Sequence, residues 1–158
     1  MVTCSNPTPT FYLQSSSGYA QGQYAYQDGS TGYIQGFSSS PSNTFYLDGS
    51  GNLHAPYDFN SYAMAGDATQ GDKTGTIFVQ GGFLGYTPAN YRKYPVICSL
   101  DNSPVVQGVP KAISCAVNGD GANQFFFCGS DGLSLLNSAS GGCSALTLQA
   151  VPVCSIVT

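Results

Sequence analysis

The stretch "NTFYLDGSGNLHAP" (residues 43–56) consists of an aromatic run, a Gly/Ser/Asp turn and a second apolar run. Eighty positions later the chain repeats this pattern as "NQFFFCGSDGLSLL" (residues 123–136). Short aromatic runs bounded by Gly, Ser and Asp are typical of β-strands joined by a tight turn. Both stretches are therefore predicted to be β-hairpins that help to fold the chain, with Phe45 and Phe125 buried at matching positions.

Strand patterns continue through the rest of the chain, whereas no 12-residue segment shows the period of an amphipathic helix. The chain also contains 20 Gly and 9 Pro, which interrupt helices. The fold class is therefore predicted to be all-β: a disulfide-bonded β-barrel or β-sandwich, with a β-trefoil-like arrangement as the alternative. Residues 60–75, which are small, polar and Gly-rich, are predicted to form a surface loop or a joint between halves. The predicted strands are 10–14, 22–27, 32–37, 44–48, 75–80, 94–100, 112–117, 124–128, 133–136 and 145–151.

The length of 158 residues fits a single domain spanning 1–158. Because the two hairpin stretches are offset by about half of the chain, one hypothesis is a pair of half-repeats, about 1–75 and 76–158. The alternative is that the hairpin pattern recurs without common ancestry. The run Phe125–Phe127 cannot face one side of a strand, since side chains alternate, so this strand is predicted to be covered on both faces.

The composition argues against two classes of partner. Charged residues make up 8% of the chain, and there is no Glu. Only four residues are Lys or Arg, so the chain has few positive charges that could neutralise the phosphates of a nucleic acid. No apolar run approaches the ~20 residues that a membrane-spanning helix needs. The sequence predicts no nucleic-acid partner and no membrane partner, and it leaves the oligomeric state open.

Six cysteines form an even set in a chain with no C-x-x-C spacing and one His. This pattern predicts three intramolecular disulfides and a secreted, extracellular protein. Since the termini of a domain often lie close together, Cys4 with Cys154 is the first choice of pair. The N-terminus lacks the features of a signal peptide, and we expect that one was removed and that Met1 was added for expression. The six are Cys4, Cys98, Cys115, Cys128, Cys143 and Cys154.

The sequence predicts no catalytic residue, no cofactor and no metal site. Four Asp precede Gly in turns, which leaves Asp58, Asp67, Asp72 and Asp101 as generic loop carboxylates. His54 is the sole imidazole, and it follows a turn where a packed or solvated role is expected rather than a catalytic one. "NGDG" (118–121) and "GSDG" (129–132) offer oxygen atoms, but each has one carboxylate and neither matches an EF-hand loop.

The segment "SSSGYAQGQYAYQDGSTGYIQG" (15–36) is the strongest candidate for a binding site. Tyr24 and Tyr26 are two positions apart, so they share one face of a strand, and amide and hydroxyl groups flank them. Flat amphipathic rings beside hydrogen-bonding groups suit a sugar surface, although Tyr also packs well on half-buried sheets. The candidate carbohydrate-binding residues are Tyr19, Tyr24, Tyr26, Gln27 and Tyr33.

In the C-terminal third, an aromatic strand ends at Cys128, a loop leads to Cys143, and the strand "SALTLQAVPVC" leads to Cys154. Over about residues 110–154 this arrangement resembles the C-terminal domain of fungal PIR-type cell-wall mannoproteins. The resemblance implies a secreted fungal β-domain associated with the cell wall. The Gln-containing repeat through which those proteins become ester-linked to β-1,3-glucan is missing here, so covalent attachment is not implied.

Three functions remain open on these observations. The first is a non-catalytic structural protein of a fungal cell wall or surface, in contact with wall polysaccharide. The second is a lectin-like carbohydrate-binding module with a discrete sugar site. The third is a secreted effector that binds a host protein.

Overall fold

The computed structural model describes residues 10–27, 34–54, 63–68, 76–79, 91–117, 123–129, 132–136 and 141–153, with the backbone alone along 63–68, 76–79 and 91–95 and at 35, 117 and 136. These residues contain strands and turns but no α-helix, which confirms the predicted all-β class. The strands are β1 (Thr10–Gly18), β2 (Tyr24–Gln27), β3 (Ile34–Ser38), β4 (Tyr46–Leu47), β5 (Leu53–His54), β6 (Ala63–Ala68), β7 (Thr76–Val79), β8 (Tyr91–Leu100), β9 (Lys111–Val117), β10 (Gln124–Phe127), β11 (Leu133–Leu136) and β12 (Ser144–Val153).

Ten of these strands form one antiparallel sheet in the order β10-β11-β7-β6-β8-β9-β12-β1-β2-β3. Strand β10 also pairs with β12, so the seven strands from β10 to β12 in this order close into a ring. Strands β1, β2 and β3 extend the sheet beyond β12, and β4 and β5 form a separate hairpin. Closure pairs the strands of the ring with neighbours on both sides along most of their length, as in a β-barrel.

The core is built from the inward-facing residues of most of these strands. Phe11 and Leu13 of β1, Val96 of β8 and Leu135 of β11 are each at most 1% exposed. Phe45, next to β4, is fully buried, and its backbone exchanges two hydrogen bonds with Phe11, at 2.8 and 2.7 Å. The hairpin β4–β5 is therefore anchored to the first strand of the sheet through the core.

The hairpin β10–β11 confirms the prediction that the aromatic run is covered on both faces. Phe125 belongs to the central core cluster and is 8% exposed. Phe126, which alternates to the other side of the strand, is 3% exposed. The aromatic residues of this hairpin are therefore packing residues.

Two disulfides join strands of the described chain. Cys98 of β8 and Cys115 of β9 are directly opposed and bonded, and both are buried. Cys128, after β10, is bonded to Cys143, before β12. Disulfides persist in oxidising compartments, so both bonds are consistent with a secreted protein. The predicted bond between Cys4 and Cys154 lies outside the described residues.

The prediction of a loop at 60–75 is wrong for residues 63–68, which form β6. This strand reads "AMAGDA" and has low intrinsic β-propensity. It pairs with β7 on one side and with β8 on the other, so tertiary pairing decides its conformation. Strand β1 is longer than predicted for the same reason, because β12 pairs with it as far as Gly18.

Candidate functional site

The outer side of the sheet at β12, β1 and β2 is defined by alternation along the strands. Phe11, Leu13 and Ser15 of β1 are buried, whereas Tyr12 and Gln14 are partly exposed. In β2, Ala25 is buried between two more exposed tyrosines, Tyr24 and Tyr26. In β12, Leu148 and Ala150 are buried on either side of Gln149. We call the outward set Tyr12, Gln14, Tyr24, Tyr26 and Gln149 the tyrosine face.

The phenol end of Tyr26 packs over its cross-strand partner, which is a glycine. Gly36 pairs with Tyr26, and a Cβ placed on Gly36 would come within 2.6 Å of the Tyr26 hydroxyl oxygen and 2.9 Å of Cε1 and Cζ. The ring therefore occupies the space that a side chain at position 36 would need, while Tyr26 remains 37% exposed. A larger residue at position 36 would push the ring away from the sheet.

Tyr12 and Tyr24 form the second aromatic pair of this face. Their ring centroids are 5.8 Å apart and the rings meet edge to face at 77°. The tyrosine face therefore presents rings at different angles, not one flat plane. Such a surface suits a single polymer chain better than a planar crystalline surface.

Amide and hydroxyl groups continue the face from the tyrosines across β1 to β12. Gln149 donates from Nε2 to Oε1 of Gln14 at 2.8 Å, and Gln14 donates from Nε2 to the carbonyl oxygen of Gly22 at 2.9 Å. Next to them, the hydroxyls of Ser16 and Ser17 each lie 2.6 Å from Oγ1 of Thr147. Hydrogen bonding holds these groups in fixed positions beside the rings.

No member of the tyrosine face carries a charge. Among the charged side chains that the structure describes, Asp48 contacts His54 and Asp101 contacts Lys111. Lys111 is buried, its Nζ donates to the carbonyl oxygens of Asp101 and Ser103, and it lies 3.5 Å from Oδ1 of Asp101. Hydrogen bonds from Ser103 are the main cause of a lowered pKa for Asp101. The uncharged face therefore offers no electrostatic selection for an ionic ligand.

The structure separates the residues that the sequence proposed for sugar contact. Tyr24 and Tyr26 do share one face. Tyr19 is 39% exposed but stacks on Phe127 at 4.4 Å, with Phe37 edge-on to both rings, so it belongs to a different aromatic cluster. Gln27 follows Tyr26 and alternates to the other side of β2. Tyr33 lies outside the described residues.

Tyr12, Gln14 and Gln149 join the face although sequence reasoning did not propose them. The alternation of exposed and buried residues in β1 would have assigned Tyr12 and Gln14 to an outward face. Gln149 comes from the opposite end of the chain and meets Gln14 only through the register of β1 with β12. No local signal in the sequence indicates that register.

His54 forms part of a compact hydrogen-bonded group in the hairpin β4–β5. Its Nε2 lies 2.8 Å from Oδ2 of Asp48, and its ring stacks on Tyr46 with centroids 4.7 Å apart. Asp48 also accepts hydrogen bonds from the backbone N–H groups of Ser50 and Asn52, each at 2.9 Å. Burial raises the pKa of Asp48, but hydrogen bonds from His54, Asn52 and Ser50 outweigh that effect and lower it to about 2. The ionised carboxylate thus organises the turn.

The other candidate chemistry is only partly covered by the described residues. Asp58 and Asp72 lie outside them, Asp67 is described by its backbone alone, and Asp101 is exposed on a turn. Among the described residues no three His, Cys, Asp or Glu side chains are grouped in a way that could hold a metal ion. Most of "NGDG" and "GSDG" lies outside the described ranges. No helix in the described chain is long and apolar enough to span a membrane.

No protein-family model matches this chain, and neither a curated protein nor a solved structure matches it.

Proposed function

We propose that this chain is a non-catalytic, secreted fungal cell-wall or surface protein whose tyrosine face contacts neutral polysaccharide. One observation carries the proposal: the phenol end of Tyr26 packs over Gly36 while the residue remains 37% exposed, next to Tyr24, on a face without charged residues. A sugar ring has apolar faces that stack on aromatic rings and hydroxyl edges that need hydrogen-bonding partners.

Three further features support the assignment. The Cys98–Cys115 and Cys128–Cys143 bonds suit an extracellular environment. The resemblance of residues 110–154 to the PIR-type domain implies a wall-associated protein, and the amide and hydroxyl groups between Gln14 and Thr147 provide hydrogen-bonding partners for sugar hydroxyls. A lectin-like module would use the same face with selectivity for one sugar class.

Retention on insoluble polysaccharides tests this proposal. We expect the protein to be retained on at least one neutral polymer from a panel of β-glucan, chitin and mannan. Tyr26→Ala should weaken retention by about fivefold, because a stacked ring contributes on the order of 1 kcal/mol. The same variant should lower the free energy of unfolding by no more than about 1 kcal/mol, the range of a cross-strand pair.

Tyr19→Ala is the matched control, since Tyr19 and Tyr26 are 39% and 37% exposed and lie in different clusters. We expect Tyr19→Ala to be retained like the unmodified protein. Loss of retention in Tyr19→Ala but not in Tyr26→Ala would assign binding to the Tyr19 cluster and contradict the tyrosine face. Failure of the unmodified protein to bind every polymer of the panel would refute the proposed function.

A further inference from the structure

A groove of about 360 Å³ opens beside β12, between the residues of β12 that pair with β9 and those that pair with β10. Strand β9 pairs with β12 at Ala112 and Gln149, and β10 pairs with it at Phe126 and Ala145. Neither strand continues along β12 between these two points: the register of β9 with β12 covers only Lys111 and Ala112, and that of β10 covers only Phe126 and Phe127. Within the described chain, no strand is in register with Leu146–Leu148 on this edge of β12. We call the resulting opening the β12 window.

The β12 window is lined by three short segments, Ile113–Ser114, Asn123–Phe126 and Ala145–Leu148. Its interior is apolar, because Phe125 and Leu148 are core residues. Its rim is polar and accessible.

None of the residues that line the window is charged. The volume falls within the range of about 300–1,000 Å³ that small-molecule sites occupy. An apolar floor with amides and hydroxyls at the rim suits an uncharged ligand that has both apolar faces and hydroxyl groups. A hexose ring is a ligand of this kind.

The window is continuous with the tyrosine face. Thr147 lies two residues before Gln149 on β12 and is exposed on the same side, and Ser114 lies two residues after exposed Ala112, which pairs with Gln149. From Tyr24 on β2 to β12 is two strand spacings, about 10 Å, which about two sugar units would cover. A polysaccharide chain that crosses β1 from the tyrosines therefore reaches the window directly.

Beyond β12 such a chain would meet β9 on one side and β10 on the other. Both strands pair with β12 at the margins of the window, at Gln149 and Ala145, so the floor between these points is about 14 Å long. The β12 window is therefore closed at both ends and suits the end of a polysaccharide chain. The tyrosine face, in contrast, is open and suits units in the middle of such a chain.

We propose that the β12 window binds the terminal hexose unit of a neutral polysaccharide whose following units lie on the tyrosine face. This proposal rests on the proposed function, because the tyrosine face supplies the rest of the contact. It makes the protein selective for chain ends. The number of binding sites on a polymer would then depend on its number of chains and not on its mass.

Filling the window tests its role. Ser114→Phe places a ring in the opening, whereas Ser99→Phe places the same ring on the neighbouring residue of β8, which is exposed, pairs with Ser114 and does not line the window. We expect Ser114→Phe to lower the affinity for soluble oligosaccharides of the retained polymer by about tenfold or more through steric exclusion. Ser99→Phe should bind normally. Both variants should unfold at the same denaturant concentration as the unmodified protein.

Chain length provides a second test that needs no variant. The retained polysaccharide is cut to several mean lengths, and the amount of protein bound at saturation is measured per gram of polymer. We expect this amount to rise as the chains become shorter. A trisaccharide cut from the retained polysaccharide serves as the ligand in nuclear magnetic resonance titrations. The backbone amide signals of Leu146–Leu148 should shift together with the side-chain amide signal of Asn123.

The outcomes separate the two proposals. If Tyr26→Ala weakens binding while Ser114→Phe binds normally, or if binding per gram does not change with chain length, chain-end recognition is refuted and the tyrosine-face function stands. If the unmodified protein binds no polymer, both proposals fail.

Discussion

The hairpins β4–β5 and β10–β11 have the same backbone pairing but are held by different side-chain chemistry. Tyr46 pairs with His54 and Leu47 with Leu53, and the residues 80 positions later pair in the same register. The N–H of Asp48 donates to the carbonyl oxygen of Asn52 at 3.1 Å, and that of Cys128 donates to Gly132 at 3.0 Å. The hairpin pattern recognised in the sequence therefore corresponds to one backbone geometry.

The two hairpins differ in the side chain of the residue at the start of the turn. The carboxylate of Asp48 accepts hydrogen bonds from the N–H groups of the turn and from His54. Cys128, at the equivalent place, is bonded to Cys143 and so ties its hairpin to the start of β12. The side chain at this position therefore forms hydrogen bonds within the first hairpin, whereas in the second hairpin it forms a covalent bond to the start of a neighbouring strand. Buried aromatic positions and turn length specify the hairpin, and different side chains can secure it.

The largest loss of stability is expected from replacing the buried phenylalanine that both hairpins have at the equivalent position. Phe45→Ala and Phe125→Ala should each lower the free energy of unfolding by about 3–5 kcal/mol, because each removes a buried ring and leaves a cavity. Denaturant unfolding measures both. A loss below about 1 kcal/mol in either variant would show that the hairpins are not equivalent in packing.

The next effect should be confined to the second hairpin. Replacing Cys128 and Cys143 together by Ser opens a loop with a sequence separation of 15 and should cost about 3 kcal/mol. The Cys98–Cys115 pair, with a separation of 17, is the comparison, and its removal should cost at least as much because both residues are buried. Unchanged unfolding of the Cys128→Ser/Cys143→Ser variant would mean that the hairpin does not depend on its tie to β12.

The smallest loss of stability is expected from replacing the carboxylate in the turn of the first hairpin. Asp48→Asn removes an ionised acceptor of several hydrogen bonds and should cost about 1–2 kcal/mol at neutral pH. Asn102→Ala, at an exposed turn position, is the control and should change stability by about 0.5 kcal/mol or less.

The cost of Asp48→Asn should also depend on pH. The pKa of Asp48 in the folded protein is about 2, below the usual value of about 3.9 for an unfolded chain. The ionised group therefore contributes stability that is fully present above the unfolded value and is lost as the pH falls towards 2. The difference in unfolding free energy between the two proteins should shrink between pH 5 and pH 2, and a constant difference would contradict this role.

Much of the fold was predictable because strand signals are local. The aromatic runs around Phe11, Phe45 and Phe125 and the Gly-rich turns indicated the strands and the packing positions. Strand β6 escaped prediction because Ala and Gly carry no strand signal, and pairing with β7 and β8 places it in the sheet. A strand defined by its neighbours cannot be recognised from its own residues.

The candidate site shows the same limit. Tyr24 and Tyr26 were predicted to share a face because alternation is a property of a single strand. The packing of Tyr26 over Gly36 depends on the pairing of β2 with β3, and the contact between Gln14 and Gln149 depends on the register of β1 with β12. Neither the tyrosine face as a unit nor the β12 window has a local sequence pattern.

The sequence by itself determined the all-β class, the hairpins and their buried aromatic residues, because propensity, alternation and turn chemistry act over a few residues. The tertiary structure alone decided the closed ring, the partners of Cys98 and Cys128, and the separation of Tyr19 from Tyr24 and Tyr26. These features depend on which distant strands pair and in which register. That choice is made by the packing of the whole core, where each strand gains stability only from partners that lie far away along the chain.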